Sequence, residues 1–322
     1  MRPVKVGVIG VGHLGRFHAL NYSQLPEAEL VGVTDLDTGR AGQVAAEAHC
    51  RAFKDAESLL SEVEAVSVAV PTDRHFEAGS LVLQKGVHLL IEKPITRTVE
   101  EADGLIRLAK DKGVVIHVGQ VERFNPGIQA LSGFALFPRF IEAHRLAPFN
   151  PRGTEVSVIL DLMIHDIDIL LHLVPSEITR VDASGVVVVS STVDIANARI
   201  QFANGAVANL TASRISQKKM RKMRMFQKDA YISVDFLERM AEIYALESET
   251  FTGDMTLGEI GVGDRKKRIA YKRPEVPEKQ GLQMELEAFV RAVRGGQTAA
   301  ADGEAGKRAL AIAMQVLKCM EA

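Results

Sequence analysis

The segment VKVGVIGVGHLG, beginning at residue 4, limits what this chain can fold into more than any other stretch. Its apolar, β-branched run over residues 4–9 reads as a buried strand, and Gly10, Gly12 and Gly15 follow where a G-x-G-x-x-G turn leads into a helix. The first glycine permits a tight turn, the second allows another molecule to approach the backbone, and the third lets helix and strand pack closely. Asp35 stands twenty residues past Gly15, at the end of the next expected strand. This spacing predicts a βαβ unit. Its helix start, with His13 and Leu14 beside the glycines, would hold a diphosphate through unpaired N–H groups and the helix dipole. Asp35 would accept hydrogen bonds from a ribose diol and repel a 2′-phosphate. Leu36 and Asp37 follow it, with no arginine directly after, so NAD is expected rather than NADP. A glycine-rich turn serving another ligand in a doubly wound fold is the alternative.

The same alternation of short β-branched runs and helical patterns continues to residue 119. Strands are expected over 4–9, 30–34, 51–53, 65–70, 88–91 and 114–118, and helices over 14–24, 37–49, 73–85 and 99–112. That is the rhythm of an α/β Rossmann domain, a doubly wound parallel sheet. Beyond Gln120, expected strands over 178–189, 195–202, 206–213, 223–226 and 230–236 arrive without intervening helices. They predict a C-terminal α+β domain built on an open, mainly antiparallel sheet. Residues 261–277 read as an exposed excursion, and helices are expected over 283–294 and 303–320. The division is 1–121 for the NAD-binding domain and 122–322 for substrate binding and oligomerisation, with the last helix free to pack on the first domain. At 322 residues, two domains are the ordinary outcome.

Composition excludes several function classes. A net charge of -2 offers no general attraction to nucleic acid or anionic membranes. The two cysteines, Cys50 and Cys319, are far apart and form no C-x-x-C pair, against a disulfide framework or cysteine-rich zinc site. No stretch reaches the roughly 18 apolar residues a membrane span needs, and the N-terminal apolar run is too short and glycine-interrupted for a signal peptide. A cytoplasmic location is expected.

Two further motifs carry chemistry. Residues 158–174, VILDLMIHDIDILLHLV, are apolar except for Asp161, His165, Asp166, Asp168 and His172. At roughly 100° per residue, Asp161, His165, Asp168 and His172 share a narrow stripe while Asp166 points elsewhere. A mostly apolar helix with one polar stripe predicts burial with the stripe turned into a cleft. Asp161 and His165, one turn apart, suit a carboxylate–imidazole dyad acting as general base, with His172 structural. A self-satisfied buried network, a metal site, or a metal phosphohydrolase built on His165 and Asp166 are the rival readings. The second motif is Glu92-Lys93-Pro94, directly after an expected strand and so at the carboxyl edge of the sheet, where open α/β folds bind ligands. Lys93 there could orient a hydroxyl, or be a solvated surface lysine. Pro71 and Thr72 mark another sheet-edge loop bordering the cofactor, with His75 expected on a helix surface.

GVIGVGHLG at 7–15, Pro71-Thr72 with His75, EKP at 92–94 and Asp161-x-x-x-His165-x-x-Asp168 together resemble the Gfo/Idh/MocA family of sugar and cyclitol dehydrogenases, over nearly the whole chain and in the family's order. The resemblance implies an NAD-dependent oxidoreductase with Lys93, Asp161 and His165 at the catalytic positions. It also implies a homodimer or homotetramer supported by the open sheet. Glu92 and Lys93 join Gly10, Gly12, His13, Leu14, Gly15, Asp35, Pro71 and Thr72 as expected cofactor contacts. Where the family usually has a glycine pair before the Asp and a glycine two residues after it, Ser157, Val158 and Met163 stand here.

With VERFNP at 121–126, DLMIHDIDI at 161–169 and the stretch 213–236, these departures resemble a branch of the family acting on nucleotide sugars. It oxidises the 3-hydroxyl of a UDP-N-acetylhexosamine (UDP-GlcNAc) to a ketone, which an aminotransferase consumes on a route to amide-linked lipid A. A diphosphate needs cations, and Arg123, Arg145, Arg214 and Lys218 are candidate ligands, with Asp168 a candidate substrate contact. The basic run 218–224 would bind phosphate, face a neighbouring subunit, or be a solvated strand edge. In the expected reaction His165, oriented by Asp161, takes the hydroxyl proton as hydride leaves for nicotinamide, and Lys93 polarises the oxygen. Either Lys93 or His165 could be the formal base. A free-sugar or inositol dehydrogenase, and a non-catalytic NAD-sensing regulator, are the alternatives; a sensor needs none of that proton chemistry.

Overall fold

A computed structural model describes residues 2–150, 156–248, 251–263, 266–295 and 300–320. The chain divides into two compact units, one of Met1–Val121 with Lys279–Ala311 and the other of Glu122–Glu278 with Ile312–Ala322.

The first unit runs β1 (Val4–Ile9), α1 (His13–Tyr22), β2 (Ala28–Thr34), α2 (Thr38–Glu47), β3 (Arg51–Ala52), α3 (Ala56–Leu60), β4 (Ala65–Val68), α4 (His75–Gln84), β5 (His88–Glu92), α5 (Val99–Lys112) and β6 (Ile116–Gly119). Its six-stranded sheet has the order β3-β2-β1-β4-β5-β6 with every pairing parallel. Helices cover both faces of such a sheet, which is why β4 and most of β1 and β5 are buried at successive positions. Local chemistry sets the helix ends: Asp37 caps α2 through the Arg40 amide, Thr98 caps α5 through the Glu101 amide, and Gly113 closes α5 in the left-handed conformation.

The second unit contains α6 (Pro126–Gln129), β7 (Phe140–Leu146), a π-helical turn (Ile159–Met163) continuing into α7 (Ile164–Leu173), and then β8 (Ile178–Val186), β9 (Ile195–Phe202), β10 (Val207–Ser213), β11 (Met220–Gln227), β12 (Ala230–Asp235), β13 (Met240–Leu246), β14 (Met255–Ile260) and β15 (Lys267–Lys272). These strands form one nine-stranded sheet, β14-β15-β13-β12-β11-β7-β10-β9-β8, in which only the β7–β10 pairing is parallel. Its buried face alternates strictly with its other face along β7 and β13.

Two helices complete the chain, α8 (Gly281–Val293) and α9 (Gly303–Met320). Sequence reasoning left only the last helix free to pack on the first domain, whereas 279–311, with α8 and the first half of α9, group with the first unit. The reason is the apolar stripe of α8: Leu286, Phe289 and Val290 join Val4, Val6, Tyr22 and Val33 in one core cluster.

Four strands escaped the sequence reading. β7 carries Glu142, His144 and Arg145 among its apolar residues, which masks its alternation. β13 and β14 had no assignment, and β15 lies inside the stretch read as an excursion, of which 264–265 fall outside the described residues. β11 is an interior strand between β12 and β7, so the basic run is no strand edge. Among the described residues no helix is long and apolar enough to cross a membrane.

Candidate active site

Gly10 leaves β1 at φ +82° and donates its N–H to the Thr34 carbonyl at 2.8 Å. A Cβ at Gly15 would collide with the Gly10 carbonyl oxygen, while nothing lies within 4 Å of the corresponding point at Gly12. Gly12 is also the N-cap of α1, and no side chain caps that helix. Its first-turn N–H groups are therefore available to an anion that approaches where Gly12 leaves space. His13 and Leu14 stand exposed on this turn, the His13 ring edge-on to Phe17.

Asp35 is oriented from two sides: Oδ2 accepts from the Val11 amide at 2.8 Å and Oδ1 from the Asp37 amide at 2.9 Å. Each oxygen retains accepting capacity for a ribose hydroxyl. Arg40, which sequence reasoning did not single out, comes within 3.6 Å of Asp35 Oδ2. Gly10, Gly12, Asp35, Leu36, Arg40 and Pro71 line a cleft of about 1010 Å³. An open backbone at Gly12, an uncapped helix start and a fixed carboxylate in one cleft fit the diphosphate and ribose of NAD.

His75 is a correction. Expected on a helix surface, it is 1% exposed. Its Nδ1 lies 2.8 Å from the Pro94 carbonyl and its Nε2 3.0 Å from the Val70 carbonyl. It thus ties the loop carrying Pro71 and half-buried Thr72 to the loop carrying Lys93, and the α4 pattern alone cannot show which helix face the sheet covers. Lys93 is half-buried directly after β5, at the carboxyl edge of the sheet. Glu92, expected as a cofactor contact, directs its carboxylate inward to His18, with Oε1 2.9 Å from Nε2.

In the second unit, Asp161 lies in the π-helical turn and His165 in the first turn of α7, both half-buried. A π-helical turn holds more residues than an α-helical one, so the stripe drawn at 100° per residue does not run straight through it. Asp168, expected in the cleft-facing stripe, is 1% exposed and takes a two-pronged ion pair from Arg123, at 2.6 Å to each oxygen. His172 is exposed. Asp166, off the stripe, is buried and accepts from Arg145 at 3.0 and 2.8 Å. Arg145 also donates to Glu122 at 2.7 Å, and these two acids outweigh the effect of burial to hold its guanidinium above the ordinary arginine range.

Two candidate diphosphate ligands are thereby occupied. Arg145, 2% exposed and held by two carboxylates, anchors α7 rather than facing a ligand, and Arg123 is bound to Asp168. Buried Arg214 donates to the Val156 carbonyl, and Lys218 is exposed. Within the basic run, Arg221, Lys222 and Arg224 pair with Glu122, Asp235 and Glu142. Glu122 was missed by sequence reasoning; an acid directly before Arg123 in a predominantly apolar chain segment was its one signal. Among the described residues no group of three His, Cys, Asp or Glu side chains is arranged to hold a metal ion.

Comparison with known proteins agrees with this geometry. Residues 4–120 match the oxidoreductase family with NAD-binding Rossmann fold, and residues 138–233 the GFO/IDH/MocA C-terminal domain. The chain is 44% identical to the UDP-N-acetylglucosamine 3-dehydrogenase of Acidithiobacillus ferrooxidans, covering 100% of this chain and 99% of that protein. A solved structure of that enzyme superposes with a TM-score of 0.89 over 100% of this chain and 98% of the other. The myo-inositol 2-dehydrogenase of Thermotoga maritima is 26% identical over 99% of this chain and 96% of its own length. Levoglucosan dehydrogenase in complex with NADH and levoglucosan shares the fold, with a TM-score of 0.83 at 19% identity over 99% of this chain and 98% of that one. With both of its characteristic segments matched and the dinucleotide cleft in place, the chain belongs to the Gfo/Idh/MocA family of NAD-dependent oxidoreductases.

Proposed function

We propose that this oxidoreductase oxidises the 3-hydroxyl of UDP-N-acetylglucosamine to a ketone. The observation carrying this reading is the 44% identity over the full chain to an enzyme of that name, against 26% to an inositol dehydrogenase. Bound NAD supplies the hydride acceptor. The half-buried His165 imidazole takes the hydroxyl proton, Asp161 orients it, and the Lys93 cation polarises the oxygen as hydride leaves the same carbon; ketone, NADH and one proton are the products. For the substrate diphosphate the reading keeps Arg214 and Lys218, since Arg123 and Arg145 are engaged by buried carboxylates. A free sugar or inositol is the second reading, favoured by the inositol dehydrogenases among the relatives.

Formation of NADH over a panel of UDP-sugars, free sugars and inositols tests the assignment. Turnover with UDP-N-acetylglucosamine is expected, and turnover confined to inositols or free sugars overturns it. His165→Ala should lower kcat by about 10²–10⁴-fold with NAD affinity unchanged. Retained turnover in that variant removes His165 from the chemistry.

A homo-oligomer, a cytoplasmic location and a supply of ketone to an aminotransferase in lipid A synthesis belong to the same reading. The first is supported by an aromatic row on one face of the nine-stranded sheet. Phe140, Phe226, Tyr231, Tyr244 and Tyr271 are successive cross-strand partners with ring centroids 4.9 to 5.8 Å apart. The location is supported by two cysteines that are both free thiols.

A further inference from the structure

Glu92, the last residue of β5, is 9% exposed, and both of its oxygens are fixed. Oε1 lies 2.9 Å from His18 Nε2, and Oε2 accepts from the Lys93 backbone amide at 3.3 Å. The wall on its far side is Gly119 of β6, where a Cβ would come within 3.0 Å of Oε2. His18 sits on α1, one turn beyond Gly15, with 1% of its surface exposed and Nδ1 without a hydrogen-bond partner among the described residues. Burial pushes the Glu92 carboxyl up, but the hydrogen bond and charge of His18, with the charge and amide of Lys93, outweigh it and hold it below the usual carboxylate range.

A buried imidazole–carboxylate pair is a poor fastener for a helix and a strand, because apolar residues of equal volume would hold them without desolvating either group. Its position suggests another purpose: it joins the helix that starts at the diphosphate turn to the residue preceding Lys93. We propose that His18 and Glu92 are positioning residues for Lys93, pinning an ionised carboxylate beside the lysine so that it works as an ammonium that polarises the substrate oxygen and leaves proton removal to His165. The proposal rests on the dehydrogenase reading for its consequence but not for its physical content. The charges of Glu92 and Lys93 act on each other, a neighbouring anion favours the charged form of an ammonium, and the two N–H donors on Glu92 keep that anion in one place.

Acetylation of the Lys93 amine by acetic anhydride, followed across pH by mass spectrometry on the full-length chain, reads the effect without turnover. Glu92→Gln and His18→Leu should move the midpoint of Lys93 acetylation down by about one pH unit. His18→Gln, whose amide N–H reaches the Nε2 position, should keep the wild-type midpoint. Thermal melting monitored by circular dichroism identifies variants that remain folded. Glu92→Gln is nearly isosteric, so it remains informative if His18→Leu fails to fold. An unmoved midpoint in folded Glu92→Gln, or an equal shift in His18→Gln and His18→Leu, overturns the proposal. In turnover, His18→Leu should lower kcat about tenfold with NAD affinity preserved, the pattern of an interaction used in the transition state rather than in binding. If the midpoint shifts but the wild-type chain oxidises no UDP-sugar, the substrate assignment fails and the positioning role stands.

Discussion

Cys50 and Asp194 show burial acting on ionisable groups with opposite outcomes. Half-buried Cys50 has its thiol pushed up to about 11 by desolvation. Its alkylation by iodoacetamide should be slow at neutral pH and rise about tenfold per pH unit until the solution approaches that value, as rate follows the thiolate fraction. A pH-independent rate would contradict this. Asp194 is fully buried, yet it accepts from the backbone amides of Val188, Val189 and Ser190 at 2.8, 2.7 and 3.0 Å and from the Ser190 hydroxyl at 2.6 Å. Burial pushes its carboxyl up, but these donors win and hold it well below the ordinary 3.8. A depressed folded value means the stabilisation is present above the unfolded value and lost as pH falls toward the folded one. Asp194→Asn should therefore destabilise the chain by about 2 kcal/mol at neutral pH, with the gap to wild type in urea melts narrowing below about pH 4. At this scale residue type is legible in the sequence but environment is not: His75 reads as a helix-surface histidine and is 1% exposed in the fold.

At the scale of the element, α7 is held by two sets of ion pairs. Arg123 grips Asp168, while Arg145 bridges Asp166 and Glu122. Removing one partner from such a set leaves buried charge uncompensated, so Arg145→Met should lower stability by about 3–5 kcal/mol in chemical denaturation. Adding Glu122→Gln and Asp166→Asn should recover a large part of that loss, and no recovery would show that Arg145 acts through packing alone. The helix itself was readable from its apolar run. Asp161 was set on one stripe with His165, Asp168 and His172, Asp166 lying off it, because the π-helical turn at Ile159–Met163 that carries Asp161 leaves no mark in residue spacing. β7 was unreadable for a related reason, since Arg145 occupies a buried position that alternation reserves for an apolar side chain.

For the whole molecule, the row from Phe140 to Tyr271 crosses five adjacent strands. The rings of Tyr231 and Tyr244, 5.4 Å apart, sit at its centre. If this face joins copies of the chain, the double variant Tyr231→Glu with Tyr244→Glu should convert a wild-type dimer or tetramer to monomer in size-exclusion light scattering. Like charges placed directly opposite across neighbouring strands would also oppose each other, so a circular-dichroism melt separates loss of assembly from loss of fold. An unchanged mass in a folded variant removes this face as the interface.

What the sequence determined alone is the parallel half of the fold and its cofactor, because a glycine turn, a helix start and an acid twenty residues on are local in the chain, and local spacing specifies their geometry. It also marked Lys93, Asp161 and His165 by residue type and position. Tertiary structure alone decided which charges are partners. The pairs His18 with Glu92, Arg123 with Asp168 and Arg145 with Glu122 link residues 74, 45 and 23 positions apart. Such pairs form because buried charges must find opposite charges or hydrogen-bond donors, and which ones meet depends on sheet order and helix rotation that no local pattern encodes.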